Sequence, residues 1–240
     1  MRKEIAILMA AGLGTRMLPL TEKIPKPMVE VNGKPMIETV IEGLQKRGVE
    51  HIYVVVGYKK KCFEKLTEKY QNLTLIENKE YTSKNNISSI FAAASLMGHE
   101  NCFICEADLV ISDPDIFSAE LNQSCYFGKM VKGHSDDWVF ELNESGRIIR
   151  VGKIGNDTYN MVGVAYFMKN DAKTIADAVC EAYKHNGHEL LFWDEIVDKL
   201  LPIVNLKVHP VSANHIIEVD TLKELAQLDP SYKNYIGSVI

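Results

Sequence analysis

The sequence predicts an α/β fold, a mostly parallel mixed sheet with helices on both faces and a small antiparallel β insertion or lid. Three observations predict it. Short apolar runs alternate with amphipathic ones through the first half, a glycine-rich turn directly follows the first apolar run, and between residues 124 and 168 the texture changes to short strand-like runs broken by Gly, Asn, Asp and Ser. The chain has 240 residues, 46% hydrophobic and 25% charged, the size of one large domain. With no linker, repeat or low-complexity stretch, residues 1–240 read as a single domain with its β insertion at 124–168.

The first strand is expected at 5–9. Read as a leader, Met1-Arg2-Lys3-Glu4 and the run behind it fail, because the apolar stretch 5–11 is short and runs into glycines and an arginine. A helix over 35–47 places Met36, Ile37, Val40, Ile41 and Leu44 on one face, with Pro35 at its first position and Gly48 beyond its end. Strands at 51–56, 73–77 and 101–106 alternate with helices at 59–70 and 87–97, the second carrying Ala92, Ala93 and Ala94 for close packing on a sheet. The insertion reads as strands at 126–131, 138–142, 148–151 and 161–168. Helices follow at 171–185 and 190–201, then strands at 206–211 and 216–219 and a closing helix at 221–228. The arrangement is Rossmann-like.

Composition removes several classes of function. Lys+Arg 27 against Asp+Glu 32 gives a net charge of −5, interspersed along the chain, where a phosphate-backbone binder needs a basic surplus. Nucleic acid is therefore not an expected partner. No apolar run approaches the roughly 20 residues of a membrane span, so no membrane association is expected. Five cysteines, an odd number, point to a reducing cytoplasm. Cys102-x-x-Cys105 has metal or redox spacing, but it lies inside an apolar run with no second pair and reads as buried strand cysteines.

The segment Leu8-Met9-Ala10-Ala11-Gly12-Leu13-Gly14-Thr15-Arg16 follows the first strand. Glycines there let backbone N–H groups approach an anion, and Arg16 offers a planar fork to phosphate oxygens. It is not a dinucleotide fingerprint, since Met17 stands where the third glycine would be, and no Gly-Lys-Ser/Thr makes it a P-loop. Beyond it, Pro25-Lys26-Pro27 stiffens the backbone around one lysine, and Gly33-Lys34-Pro35-Met36-Ile37 turns into the helix.

These three linked motifs resemble the signature of nucleotidyltransferases that join a nucleoside triphosphate to a phosphorylated acceptor. The resemblance implies nucleotide contacts at Leu8, Ala10, Ala11, Gly12, Gly14, Thr15 and Arg16, with Lys26 and Arg16 catalytic. Such chemistry uses Mg²⁺ on carboxylates and phosphate oxygens. Asp108 and Asp220 end predicted strands, where open α/β sheets bind ligands. Each could equally cap the turn that follows, and the resemblance implies that they are the metal pair, with Glu106 and Ala107 beside the nucleotide. An acceptor phosphate, with a second pKa of roughly 6, needs no general base, so none of the seven histidines is assigned a role; His185 and His188 read as solvated turn residues.

The chain's length resembles that of the short bacterial branch containing CTP:phosphocholine cytidylyltransferases. Asn85-Asn86-Ile87-Ser88-Ser89 is similar to that branch's Asn-Asn-x-x-Ser stretch, which implies nucleotide contacts at Asn85, Asn86 and Ser89. Phe192-Trp193-Asp194 is similar to its aromatic-Trp-Asp motif. Choline recognition relies on aromatic faces and nearby carboxylates, and both tryptophans come with them: Trp138 after Asp136-Asp137, Trp193 between Phe192 and Asp194. On the residues alone both also fit as core positions.

The expected reaction is CMP transfer from CTP to a phosphorylated amino-alcohol, phosphocholine first, with part of the acceptor site supplied by 124–168. Alternative acceptors are 2-aminoethylphosphonate, phosphoethanolamine, a phosphorylated amino-acid derivative or a sugar 1-phosphate. The family allows a homodimer. A regulatory nucleotide-binding module is disfavoured by the intact charge set, and a nicotinamide oxidoreductase by the missing glycine.

Overall fold

Strand β1 (Glu4–Ala10) carries an unbroken apolar run because both its faces are covered, the condition of a central parallel strand. The computed structural model describes residues 3–236, so Met1 and Arg2, which entered the leader argument, lie outside the described residues, as do 237–240 of the expected 1–240 domain. A short ladder, β2 (Glu30–Val31) with β3 (Lys34–Pro35), turns at Gly33, whose φ of 80° suits glycine. It feeds α1 (Met36–Arg47), which buries Ile37, Val40, Ile41 and Leu44 completely and ends at Gly48 with φ 86°. Pro35 is not the first helical residue but precedes the helix at the end of β3.

Next come β4 (His51–Val56), α2 (Glu64–Lys69), β5 (Leu73–Glu77), α3 (Ile87–Ala93) and β6 (Asn101–Glu106). Both helices are shorter than expected because a 3₁₀ turn occupies one end of each predicted span, Lys60–Phe63 and Ala94–Leu96. β1 pairs in parallel with β4 on one side and β6 on the other, and β4 pairs with β5. Cys102 and Cys105 are fully buried on β6.

The remaining elements are β7 (Leu109–Ile111), β8 (Cys125–Leu142), β9 (Ile148–Phe167), α4 (Lys169–Ala182), α5 (Trp193–Leu200), β10 (Lys207–Pro210), β11 (Ile216–Glu218), α6 (Leu222–Leu228) and α7 (Lys233–Ile236). The four strands expected between 126 and 168 are two long bent ones. Their Gly, Asn, Asp and Ser residues mark register shifts rather than chain reversals; Gly133, at φ 79°, donates its N–H to Asp157, itself at φ 48°. The base of this ribbon belongs to the main sheet, β9 antiparallel to β6 and β8 parallel to β10, giving the order β10-β8-β9-β6-β1-β4-β5.

Apolar clusters fill both faces of the sheet, and a third lies under Met17, Leu20, Met36 and Leu225. Among the described residues, no helix is long and apolar enough to cross a membrane. β7 and β11 form a separate antiparallel pair, extended by the Val219 N–H donating to the Asp108 carbonyl at 3.3 Å. This small sheet brings residues 108 and 220 together.

Candidate active site

β1 delivers the chain into the glycine loop at the carboxyl edge of the sheet. Gly14 has φ 64°, and a Cβ there would stand 2.9 Å from Lys26 Cβ and 3.1 Å from Thr21 Cγ2. Thr21 Oγ1 donates to the Gly14 carbonyl at 3.0 Å, and the Tyr58 N–H donates to the Ala11 carbonyl at 3.1 Å, so the loop is held at both ends. Gly14→Ala combines a left-handed backbone cost of about 1–2 kcal/mol with a clash against Lys26. Thermal unfolding of that variant is expected to show a Tm lower by a few degrees; an unchanged Tm would mean the loop relaxes freely.

Lys26 lies in the 3₁₀ turn Lys26–Met28 opened by Pro25 and is almost fully buried. Its Nζ donates to Asp108 Oδ2 at 2.5 Å and to Asp220 Oδ1 at 2.7 Å. Burial opposes the ammonium charge, but the two carboxylates outweigh it and raise the lysine above its usual range. Asp220 also accepts from Arg16 NH2 at 2.7 Å. Desolvation works against its charge, yet Lys26 and Arg16 hold it below the usual carboxylate range. Two carboxylates thus converge on one cationic atom, so the donor set fits a hard divalent cation once Lys26 turns to another anion.

A cleft of about 420 Å³ opens above these groups. The expected residues Ala10, Ala11, Gly12, Gly14, Thr15 and Arg16 line it along the loop; Lys26, Asp108 and Asp220 lie at its charged end, and Asn85, Asn86, Ser89 and Glu106 on its walls. Leu8 and Ala107 do not line it: both side chains are fully buried in the core, Ala107 because it faces away from its neighbours Glu106 and Asp108 and Leu8 because it lies short of the carboxyl end of β1. Asn78, Tyr81, Lys84, Ser88 and Glu218 were not anticipated. Asn78 follows β5, a strand end where ligands gather, and its amide donates to Ser88 Oγ at 2.9 Å. Asn85 and Asn86 tie this wall to the chain entering α5, through Asn85 N–H to the Glu189 carbonyl at 2.8 Å and Trp193 N–H to Asn86 Oδ1 at 3.0 Å.

On the acceptor side, Trp138 and Trp193 do not form a box. The Trp193 ring is buried against Tyr126 and Phe167 in the core. Trp138 instead meets Phe192 edge-on at 5.4 Å, and Lys153 Nζ stands 5.9 and 5.6 Å from the two ring centres. That aromatic face already carries one of the chain's own cations. Trp138 and Phe192 do not line the cleft, nor do Asp136, ion-paired with His134, and Asp137, bonded to the Asn160 amide. His188 is not a solvated turn residue: it packs on Tyr183, and its Nε2 is buried without a hydrogen bond.

Asp194 is different. It is 3% exposed, accepts from the Tyr126 hydroxyl at 3.0 Å, and is pushed up to about 7 by desolvation, with Glu195 adding to it. It lines a recess of about 10 Å³, close to the volume of one water, with Glu106, Tyr126, Trp193 and Gly163. The recess shares Met9 and Glu106 with the main cleft. Desolvation, then Glu218, Asp108 and Asp194, hold the Glu106 carboxyl well above its usual range. Paired acids whose pKa values are raised mainly by desolvation, at the edge of a cleft, mark a candidate functional site. Gly163, at φ 73°, lies so close that a Cβ would fall 3.0 Å from Glu106 Oε2.

A glycine loop at the carboxyl edge of a parallel sheet, beside a lysine shared by two aspartates, defines a nucleotidyltransferase. The family model of the MobA-like NTP transferase domain matches residues 6–232. The 2-aminoethylphosphonate cytidylyltransferase of Lancefieldella rimae is 54% identical over 230 residues, 96% of this chain and 94% of that protein. The choline-phosphate cytidylyltransferase of Streptococcus pneumoniae is 30% identical over 95% and 98% of the two chains. A solved structure of the CTP:phosphocholine cytidylyltransferase from Streptococcus pneumoniae has a TM-score of 0.86 at 29% identity, covering 97% of this chain and all of that one. The chain belongs to the MobA-like NTP transferase family and is a cytidylyltransferase.

Proposed function

We propose that this chain transfers CMP from CTP to 2-aminoethylphosphonate, releasing pyrophosphate. The sequence put phosphocholine first and 2-aminoethylphosphonate among the alternatives; support now falls on the alternative. The observation that carries it is the recess between Glu106 and Asp194, which matches a primary ammonium in volume and charge. An –NH₃⁺ head can donate three hydrogen bonds to carboxylates, whereas a trimethylammonium donates none and far exceeds one water in size. The named acceptor of the 54% identical relative agrees.

In this reading the triphosphate runs along the glycine loop, with the base toward Asn85, Asn86 and Ser89. Lys26 and Arg16 leave their aspartates for phosphate oxygens, and the freed Asp108 and Asp220 would hold Mg²⁺. When bound, the ion would supply positive charge that neutralises the reacting phosphates and the departing pyrophosphate. Asp194 and Glu106 anchor the ammonium so that the phosphonate faces the α-phosphorus. A phosphonate oxygen bonds to that phosphorus as the bond to pyrophosphate breaks, while Lys26 neutralises the charge of the reacting phosphates. The phosphonate is already ionised, so no residue need act as base.

Incubating the protein with CTP, Mg²⁺ and 2-aminoethylphosphonate is expected to give pyrophosphate and a new phosphonate–phosphate anhydride by ³¹P NMR. Absence of that product with a folded protein would overturn the reading. The KM for the acceptor is also expected to rise about tenfold from pH 8 to pH 6. Asp194, titrating at about 7, loses its charge as the pH falls, while a primary amine keeps its own. A flat KM across this range would remove Asp194 from the acceptor site.

A further inference from the structure

Tyr126 is a buried residue of β8 whose ring is walled by Phe140 at 5.1 Å, Phe167 at 5.8 Å and Trp193 at 5.9 Å. Packing of this kind leaves the hydroxyl one place to point. It donates to Asp194 Oδ1 at 3.0 Å, and the same ring forms part of the recess wall. The backbone around Asp194 is fixed separately, by Trp193 N–H to Asn86 Oδ1 at 3.0 Å and Phe192 N–H to Glu195 Oε2 at 2.8 Å. Those bonds place α5, and the Tyr126 hydroxyl is the side-chain donor that aims the Asp194 carboxylate within the recess.

We propose that Tyr126 is the positioning residue that sets acceptor specificity, its hydroxyl holding Asp194 and closing the recess so that a primary ammonium fits and an N-methylated one does not. The proposal rests on the acceptor reading above. Taking the hydroxyl away has two separable consequences. The carboxylate loses the bond that aims it, which weakens the grip on –NH₃⁺, and about one oxygen's volume is added to a recess that holds about one water, which makes room for a methyl group. Loss of affinity and loss of discrimination should therefore appear together.

The test compares wild type with Tyr126→Phe in pyrophosphate release, varying 2-aminoethylphosphonate or its N-methyl derivative at saturating CTP and, separately, CTP at saturating 2-aminoethylphosphonate. The phenyl ring preserves the packing against Phe140, Phe167 and Trp193. The acceptor KM is expected to rise about tenfold, the worth of one hydrogen bond to a charged group, with kcat and the CTP KM within about threefold. The preference for the primary amine over the N-methyl derivative should shrink. In an Asp194→Asn background, Tyr126→Phe should add much less than it does alone, since the two act as a unit. An unchanged acceptor KM overturns the proposal, as does a parallel change in kcat and both KM values or full additivity with Asp194→Asn. If wild type itself fails to use 2-aminoethylphosphonate, the acceptor reading is lost; if wild type uses it and Tyr126→Phe behaves like wild type, only the role of Tyr126 is lost.

Discussion

Lys26→Ala is expected to lower kcat by about 10²–10³-fold while the protein stays folded. Removing one preorganised donor aimed at developing charge has an effect of that order in other enzymes. Lys26 is better placed than most, because two prolines fix its backbone, and Asp108 and Asp220 keep its ammonium charged against the opposing effect of burial. Arginine should not restore the rate: its planar fork cannot take the place of a compact ammonium shared by two carboxylates. Initial rates of pyrophosphate release, with circular dichroism as the control for folding, check this. A folded Lys26→Ala variant with a wild-type rate would show that the lysine merely neutralises two half-buried acids.

Asp194→Asn should raise the KM for 2-aminoethylphosphonate by about 10²-fold or more and leave the CTP KM nearly unchanged. Truncating one partner of a buried, hydrogen-bonded charge pair costs about 2–5 kcal/mol, because the other charge is left without compensation. Asn keeps the shape and can still accept from Tyr126, so the loss isolates the charge. The pH dependence of the acceptor KM should flatten in the same variant. A rise in the CTP KM of equal size would instead place Asp194 on the nucleotide side.

The signals that were local in the chain were legible. Glycines after a first strand, a lysine between prolines and aspartates at strand ends all rest on backbone rules that act within a few residues. What joins Asp108 to Asp220 was not legible, because it depends on β7 pairing with β11 more than one hundred residues later. A signal was present nevertheless. Glu106-Ala107-Asp108 and Glu218-Val219-Asp220 share a Glu-x-Asp spacing, which on extended backbone puts both acids of each pair on one face. The surroundings of Trp193 were not legible for a related reason: helical periodicity gives a buried face but not its neighbours, and only the return of β8 and β9 to the main sheet sets Tyr126 and Phe167 against it, in the wall of the recess. The ribbon itself was divided into four strands because Gly133 and Asp157 look like turn residues, whereas the ladder runs past both.

The account depends above all on an acceptor site built for a primary ammonium. Its most direct test is kcat/KM with saturating CTP for 2-aminoethylphosphonate and its mono-, di- and trimethylated forms. The recess predicts a stepwise fall with each methyl, reaching at least about 10²-fold for the quaternary compound, as hydrogen-bond donors are lost and volume is added. Equal or rising kcat/KM across the series would contradict it and return the choline-type reading to first place.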